Sequence, residues 1–382
     1  MIRYGQQSIS ENDLQEVIGV LTSPFLTQGP KVPEFEEKLC ALSGSRFAIA
    51  CSNATSALHM ACQALGLGPG DRLWTSPITF VASANCALHC GATVDFVDID
   101  SDTYNLSIEA LALKLRRAEK TNTLPKVVVP VHFAGQPCDM RDLYSLSQEY
   151  GFHIIEDAAH ALGATYQGET VGAGRYSDIT ILSFHPVKMI TTGEGGAALT
   201  NDPELAHKLQ LLRSHGITRD EEALAAKGKP DWYYEQQVLG FNFRMTDLQA
   251  ALGVSQLDRL SSFVQKRIAC ANYYDQHLGS MLLDTPHRAP ERCSSWHLYC
   301  VQVDGSKRDL ILDHLRSSSI GATVHYIPVH LQPYYQKLGF SLGDFPISET
   351  YFRQTITLPL HPDLTTDEQD LVIDTLAHAL KL

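Results

Sequence analysis

Strand-like and helix-like segments alternate between Phe47 and Ile181. Short apolar runs predict the strands, and the longer amphipathic stretches between them predict helices. One of the runs, Val127–Val129, is β-branched throughout, which is typical of a parallel strand covered on both faces. The alternation therefore predicts an α/β fold in which helices cover both faces of a large, mostly parallel sheet.

The chain has 382 residues, which is enough for two domains with separate cores. A helical pattern begins at Thr246 and continues to about Leu260. Beyond it, helices alternate with short apparent strands such as Ala322–His325. We therefore predict a large domain over residues 1–255 and a smaller α+β domain over residues 256–382.

Composition excludes several classes of protein. The net charge is −13 and the pI is near 5.6, whereas a general nucleic-acid binder shows a basic surface. The nine cysteines form no CxxC pair, so we expect free thiols and no disulfide framework or metal site. Neither a signal pattern nor an apolar run of about eighteen residues is present. We expect a cytoplasmic protein with no membrane and no nucleic-acid partner.

A single lysine, Lys188, lies between two apolar segments, Ile179–Leu182 and Ala197–Leu199. Lysine is rarely buried without a partner, and desolvation lowers its pKa because the ammonium form loses its water. A buried amine of this kind is a nucleophile toward carbonyl groups. The alternative is a loop lysine whose ammonium group lies in water.

Small and hydroxyl residues begin the helix that follows the predicted strand Phe47–Cys51, in the segment Ser52–Leu58. Free backbone N–H groups and the partial positive charge of a helix N-terminus favour a phosphate at this position. Ordinary N-capping by Asn53 or Thr55 would explain the same residues. No glycine-rich nucleotide motif is present, so a P-loop is not expected.

Two further candidate residues follow predicted strands. Asp157 follows His153–Glu156, and an acid at the C-terminal end of a buried parallel strand is in the position expected of a ligand-binding residue. The alternative role is a helix N-cap. Phe80 follows Arg72–Ser76, where its ring could stack on a planar ligand or could be a core aromatic.

Together these residues predict a site for pyridoxal 5′-phosphate. Lys188 would bond to the cofactor aldehyde, and Asp157 would keep the pyridine nitrogen protonated so that the ring withdraws electrons. The helix start at residues 52–56 and the hydroxyl of Ser183 would hold the phosphate, while Phe80 would cover the ring.

Over nearly its whole length the sequence resembles the DegT/StrS family of pyridoxal-phosphate-dependent sugar aminotransferases. The most specific match is Ser183-Phe184, then Lys188, then Gly193-Glu194-Gly195-Gly196. Further matching segments are Asn53–Leu58, Thr75–Phe80, Glu156–Ala161, Gly240–Asp247 and His325–Tyr335. The resemblance implies the fold type I of pyridoxal-phosphate-dependent transferases, like that of aspartate aminotransferase.

The resemblance also implies roles for individual positions, with Lys188 as the catalytic lysine. By position, the cofactor-binding residues are Lys188, Asp157, Ala54, Thr55, Ser183, Phe80, His160 and Asn242. His160 would lie near the ring hydroxyl, where many family members have glutamine. Asn242 would reach the phosphate or the substrate of the neighbouring subunit, which implies a homodimer with shared active sites.

Within the family, three segments resemble the branch that acts in pseudaminic acid biosynthesis: Ser183–Thr192, Arg213–Ile217 and Val324–Pro328. That resemblance implies amino transfer from L-glutamate to C4 of a UDP-linked 4-keto-6-deoxy-N-acetylhexosamine. The substrate-binding residues that it implies are Tyr4, Pro24, Phe25, Leu26, Thr27, Asn242, Val324, His325, Tyr326 and Ile327.

Other functions are compatible with parts of this pattern. The substrate could be another nucleotide-linked keto sugar, or the chain could be a non-enzymatic regulator that binds the cofactor. Sugar dehydrases of the same family replace the lysine with histidine, so Lys188 argues against that activity. An amino-acid aminotransferase would need an arginine for the substrate carboxylate, and Arg244 is a candidate by residue type.

Overall fold

A computed structural model describes residues 1–381. Its strands are β1 Ile2–Arg3, β2 Phe47–Cys51, β3 Arg72–Thr75, β4 Thr93–Phe96, β5 Val127–Val129, β6 His153–Asp157, β7 Thr165–Tyr166, β8 Glu169–Thr170, β9 Ile179–Ser183, β10 Gly196–Thr200, β11 Ile217–Thr218, β12 Glu235–Gln236, β13 Arg292–Cys293, β14 Tyr299–Gln302, β15 Ile320–Gly321 and β16 Thr355–Leu358. Its α-helices are α1 Glu11–Leu21, α2 Lys31–Ser43, α3 Ala54–Ala64, α4 Ala82–His89, α5 Ile108–Thr121, α6 Met140–Tyr150, α7 Pro203–Arg213, α8 Asp247–Asp258, α9 Leu260–Leu278, α10 Arg308–Ser317, α11 Pro333–Gln336, α12 Pro346–Gln354 and α13 Thr366–Ala379.

The central sheet has seven strands in the order β2-β10-β9-β6-β5-β3-β4. Neighbouring strands from β9 to β4 are parallel, whereas β10 is antiparallel to both β2 and β9. The predicted α/β fold with a mostly parallel sheet is confirmed. Because β10 reverses direction, β2 ends at the same edge of the sheet as β9 and the other parallel strands.

Helices cover both faces of this sheet, as the side chains of β2 show, because they alternate between two cores. Ile49 and Cys51 belong to the core formed with α3, α4 and α7. Ala48 and Ala50 face the opposite way, into the core formed with α2 and α8. On that second face, α5 and α6 cover the far side of the sheet near Trp74. Successive side chains of a strand point to opposite faces, so each strand contributes to two cores.

The C-terminal part of the chain builds a separate core on the antiparallel pair of β14 and β16, with α9, α10 and α13 packed against it. The helix α9 bridges the two parts, since Val264 packs in the large core and Tyr274 in the smaller one. The strand β1 pairs in parallel with β15, so the start of the chain joins the C-terminal part. The predicted boundary after residue 255 falls inside α8.

Two local predictions can be compared with the structure. The predicted strand Ala322–His325 is wrong. The strand in this region is β15, Ile320–Gly321, and within Ala322–His325 only Thr323 forms a bridge, to Thr357. The chain then leaves the sheet toward the cavity described below. The predicted helix start at Thr246 is confirmed, since its side chain accepts a hydrogen bond from Gln249 N in a capping box.

The structure also describes the thiols and the helix lengths. All nine cysteines are free. Among the helices of residues 1–381, none has both the length and the hydropathy that crossing a membrane requires.

Candidate active site

A cavity of about 910 Å³ opens at the edge where the parallel strands end. This edge is the usual ligand position in open α/β sheets. The predicted site residues that line the cavity are Tyr4, Ala54, Thr55, Phe80, Asp157, His160, Ser183, Lys188, His325 and Tyr326. The fold therefore brings residues from distant parts of the chain to one place.

Lys188 lies in the turn that follows β9. Its backbone N–H donates to the carbonyl of His185 over 2.8 Å, and its half-buried side chain lines the cavity. Burial lowers the pKa of Lys188 to about 8, although the nearby Asp157 carboxylate acts in the opposite direction. A larger fraction of this amine is therefore neutral at physiological pH than for an exposed lysine, as a nucleophile requires.

Asp157 is the last residue of β6, and its side chain is held at both oxygens. Oδ2 accepts the hydroxyl hydrogen of Ser83 over 2.7 Å, and Oδ1 accepts the backbone N–H of Ala159 over 3.1 Å. The residue is only 4% exposed. Two directional bonds in a buried environment fix the plane of the carboxylate, so its orientation toward the cavity is set before any ligand binds.

The start of α3 forms another wall of the cavity. Asn53 is the N-cap, since its side chain accepts the backbone N–H of Ser56 over 2.8 Å. Ala54 and Thr55 are the first two residues of the helix, so their N–H groups have no intrahelical acceptor. The capping role and the anion-binding role are therefore compatible, because the cap satisfies Ser56 and leaves the earlier N–H groups available for an anion.

Glycine is required where β10 approaches this helix start. A Cβ atom on Gly196 would lie 2.4 Å from the backbone nitrogen of Ala54. The pairing of Gly196 with both Cys51 and Ser183 brings the ends of β2 and β9 together. As a result, the hydroxyl of Ser183 lines the same cavity as the start of α3.

Phe80 and His160 lie on other walls of the cavity. Phe80 is 60% exposed, so it is not part of the core, and its ring centroid lies 6.5 Å from that of Tyr326. His160 is buried, and its Nε2 lies 3.2 Å from the hydroxyl of Tyr326. Burial lowers the pKa of His160 well below its ordinary value, and Lys188 adds to this effect. The imidazole is therefore neutral.

These walls fit pyridoxal phosphate. The cavity offers an amine with a lowered pKa at Lys188, an oriented carboxylate at Asp157 and free N–H groups at the start of α3. Nδ1 of His160 is buried and has no hydrogen-bond partner among the described residues, so it is available to a polar group. Within residues 1–381, no group of three or more metal-ligating side chains could hold a metal ion.

Several predicted substrate-binding residues lie outside the walls of this cavity in a single chain. They are Pro24, Phe25, Leu26, Thr27, Asn242, Val324 and Ile327. Phe25 and Leu26 are exposed, at 51% and 48%. Asn242 forms an isolated bridge with Ser214.

Two residues that were not predicted from the sequence contact the site. Ser83 donates to Asp157, and Thr79 Oγ1 lies 2.8 Å from Ser83 Oγ. Their spacing of one helical turn at the start of α4 was a visible signal. Their partner was not visible, because the contact depends on the strand order that places β3 two strands from β6.

His297 was also missed. Its ring centroid lies 4.3 Å from that of His160, and the residue is buried. A lone histidine in an apolar segment gives no signal of such a contact.

Comparison with known sequences identifies relatives over the whole chain. The model of the DegT/DnrJ/EryC1/StrS aminotransferase family matches residues 7–377. The Bacillus subtilis spore coat polysaccharide biosynthesis protein SpsC is 39% identical over 388 residues, covering 99% of this chain and 97% of that protein. A Campylobacter jejuni UDP-4-amino-4,6-dideoxy-N-acetyl-beta-L-altrosamine transaminase is 36% identical over 387 residues, covering 100% and 98%.

Solved structures agree with these relatives. Helicobacter pylori PseC, an aminotransferase involved in the biosynthesis of pseudoaminic acid, superposes with a TM-score of 0.91 at 32% identity, covering 100% of this chain and 99% of that chain. The PLP-form of the putative sugar aminotransferase Spr1654 from Streptococcus pneumoniae gives 0.89 at 31% identity, covering 100% and 98%. The chain belongs to the DegT/DnrJ/EryC1/StrS aminotransferase family.

Proposed function

We propose that this sugar aminotransferase uses pyridoxal 5′-phosphate to move the amino group of L-glutamate to C4 of a UDP-linked 4-keto-6-deoxy-N-acetylhexosamine, in pseudaminic acid biosynthesis. Family membership provides the reaction type and the cofactor. The names of the Campylobacter and Helicobacter proteins support the sugar. The observation that carries the proposal is that Lys188, with its pKa lowered to about 8, shares one cavity with Asp157 and the start of α3.

Lys188 has the central role in this proposal. When bound, pyridoxal phosphate supplies an aldehyde that accepts the amino group and a ring that accepts electrons. Nζ of Lys188 would hold that aldehyde in the resting enzyme. As a free amine it would remove the proton from the donor carbon that bears the amino group and, as its ammonium form, deliver a proton to the former aldehyde carbon of the cofactor. A pKa of about 8 suits both directions of this proton movement.

The other walls would hold the cofactor in place. Asp157 would face the ring nitrogen, and the N–H groups of Ala54 and Thr55 would bind the phosphate together with the hydroxyl of Ser183. Phe80 would cover one face of the ring and exclude water. The neutral imidazole of His160 would donate to or accept from the ring hydroxyl.

The proposed substrate-binding residues are Tyr4, Pro24, Phe25, Leu26, Thr27, Asn242, Val324, His325, Tyr326 and Ile327. We propose that some of them act across a homodimer with shared active sites. This idea is supported by the exposure of the apolar side chains Phe25 and Leu26 and by the position of Asn242 outside the cavity of its own chain. We place the enzyme in the cytoplasm, because nine free cysteines suit a reducing compartment.

The test is to incubate the purified enzyme with L-glutamate and a panel of nucleotide-linked 4-keto sugars, and to identify each product by mass spectrometry. We expect the UDP-linked 4-keto-6-deoxy-N-acetylhexosamine to give the highest kcat/KM. Lys188→Ala should lose both turnover and the visible absorbance of the bound cofactor. Unchanged turnover and absorbance in Lys188→Ala would contradict the assignment.

A second candidate is amino transfer to another nucleotide-linked keto sugar. The similarity to a spore coat polysaccharide biosynthesis protein favours keeping it. The same panel separates the two candidates, because the preferred sugar is read directly from the ratio of kcat/KM values. Cofactor binding without turnover of any sugar would instead favour a regulatory role.

A further inference from the structure

Two buried hydroxyl groups adjoin the carboxylate of Asp157, and both residues line the same cavity. Ser83 Oγ donates to Oδ2 over 2.7 Å, and Thr79 Oγ1 lies 2.8 Å from Ser83 Oγ. Thr79 is 2% exposed and Ser83 1%, so water does not compete for these hydrogen bonds. The second oxygen, Oδ1, accepts the backbone N–H of Ala159 over 3.1 Å. The carboxylate and the two hydroxyls thus form one chain of hydrogen bonds.

When Asp157 is ionised, the hydroxyls of Thr79 and Ser83 can donate their hydrogen bonds in only one direction, toward the carboxylate. An ionised carboxylate accepts hydrogen bonds and cannot donate. Ser83 has a single hydroxyl hydrogen, which it gives to Oδ2, so Thr79 must be the donor to Ser83. Linked hydrogen bonds strengthen each other, so the carboxylate is held more firmly in one orientation. Thr79 therefore acts on Asp157 only through Ser83.

Local structure holds the two hydroxyls in register. Thr79 and Ser83 are one helical turn apart, and Ser83 N donates to the carbonyl of Phe80 over 3.2 Å at the start of α4. Phe80 lies between them in sequence and lines the cavity. The segment that would cover the cofactor ring is therefore the same segment that fixes the carboxylate.

We propose that Ser83, and Thr79 through it, are positioning residues that keep the ring nitrogen of the cofactor protonated. They do so by holding the carboxylate of Asp157 in one orientation. This inference rests on the proposed function, in which Asp157 faces that nitrogen. Without the two hydroxyls, the carboxylate rotates more freely and holds the ring proton less firmly, so the ring accepts electrons less well.

The test is ¹⁵N NMR of the enzyme loaded with cofactor labelled at the ring nitrogen, recorded as a function of pH. We compare wild type, Ser83→Ala, Thr79→Val and the double variant. In Ser83→Ala, the ring nitrogen should lose its proton at a pH at least about one unit lower than in wild type. The cofactor Kd from fluorescence titration should rise about tenfold. Thr79→Val should show a smaller change, and the double variant should match Ser83→Ala.

Thr75→Val is the matched control, because Thr75 is a buried residue whose hydroxyl donates to the carbonyl of Val129 instead of to Asp157. Its ring-nitrogen signal should match wild type. An unchanged signal in Ser83→Ala, or additive effects in the double variant, would overturn the proposal. If Ser83→Ala does not fold, the signal of Thr79→Val decides.

Asp157→Asn separates this proposal from the proposed function. A shifted signal in Asp157→Asn without a shift in Ser83→Ala refutes the role of the hydroxyls alone. An unchanged signal in Asp157→Asn refutes the placement of the ring against Asp157, and the positioning role falls with it.

Discussion

Replacing Lys188 with methionine should stabilise the protein that lacks bound cofactor. Burial lowers the pKa of Lys188 from 10.5 to about 8, so near neutral pH the folded state carries a poorly hydrated ammonium. Each pKa unit is worth about 1.4 kcal/mol, which gives roughly 3 kcal/mol as an upper value. Because the side chain is only half-buried, water reduces this cost, and we expect a gain of about 2 kcal/mol for Lys188→Met.

The gain should depend on pH in a defined way. Below pH 8 the folded and unfolded states both bind the proton, so the penalty of the buried ammonium is full. Between pH 8 and 10.5 the unfolded state binds the proton and the folded state does not, so the stability of the wild type rises. Above pH 10.5 the amine is neutral in both states, and the electrostatic advantage of Lys188→Met should disappear.

Equilibrium urea unfolding of both proteins, stripped of cofactor, measures this difference at a series of pH values from neutral to alkaline. Lys337→Met is the control, because Lys337 is exposed and its replacement should change the free energy of unfolding by less than about 0.5 kcal/mol. A Lys188→Met protein that is less stable than wild type at neutral pH would refute the reasoning. A gain that persists undiminished above pH 10.5 would also refute it.

The remaining predictions concern the surroundings of the cavity. Burial alone would raise the pKa of Glu156, but hydrogen bonds from His132 and two hydroxyls outweigh this effect, so the pKa is lowered. Glu156→Gln should therefore lower the free energy of unfolding in urea by about 1–3 kcal/mol above pH 4.5, and this loss should shrink as the pH falls below that value. Gly196→Ala should raise the cofactor Kd in fluorescence titrations at least tenfold, because its Cβ would lie 2.4 Å from the nitrogen of Ala54. Phe80→Ala should change the free energy of unfolding by less than about 0.5 kcal/mol, because the ring is 60% exposed, yet it should weaken cofactor binding several-fold.

Much of the site could be predicted because its main residues follow buried strands. Lys188 follows β9 and Asp157 ends β6, and the ends of parallel strands meet at one edge of a sheet, so their proximity followed from the alternating pattern. The contact of Ser83 with Asp157 could not be predicted in this way. It depends on which strand lies beside which, and the order β6-β5-β3 is not the order of the chain.

The segment after residue 320 shows a second limit of local patterns. Ala322–His325 has the composition of a strand, but it has only one paired position, Thr323, because the chain turns away to place His325 and Tyr326 in the cavity wall. Under the proposed homodimer, the predictions for Asn242 and Pro24–Thr27 would depend on packing between two chains. Periodicity within one chain carries no information about such packing.

The pairing of β1 with β15 has a consequence for synthesis on the ribosome. Ile2–Arg3 is made more than 300 residues before its partner Ile320–Gly321 emerges. Tyr4, which lines the cavity, directly follows this first strand. At about 5–20 residues per second, β1 waits for tens of seconds before it can pair with β15. A product of premature termination before residue 320 would therefore retain Lys188 and Asp157 but leave Tyr4 untethered.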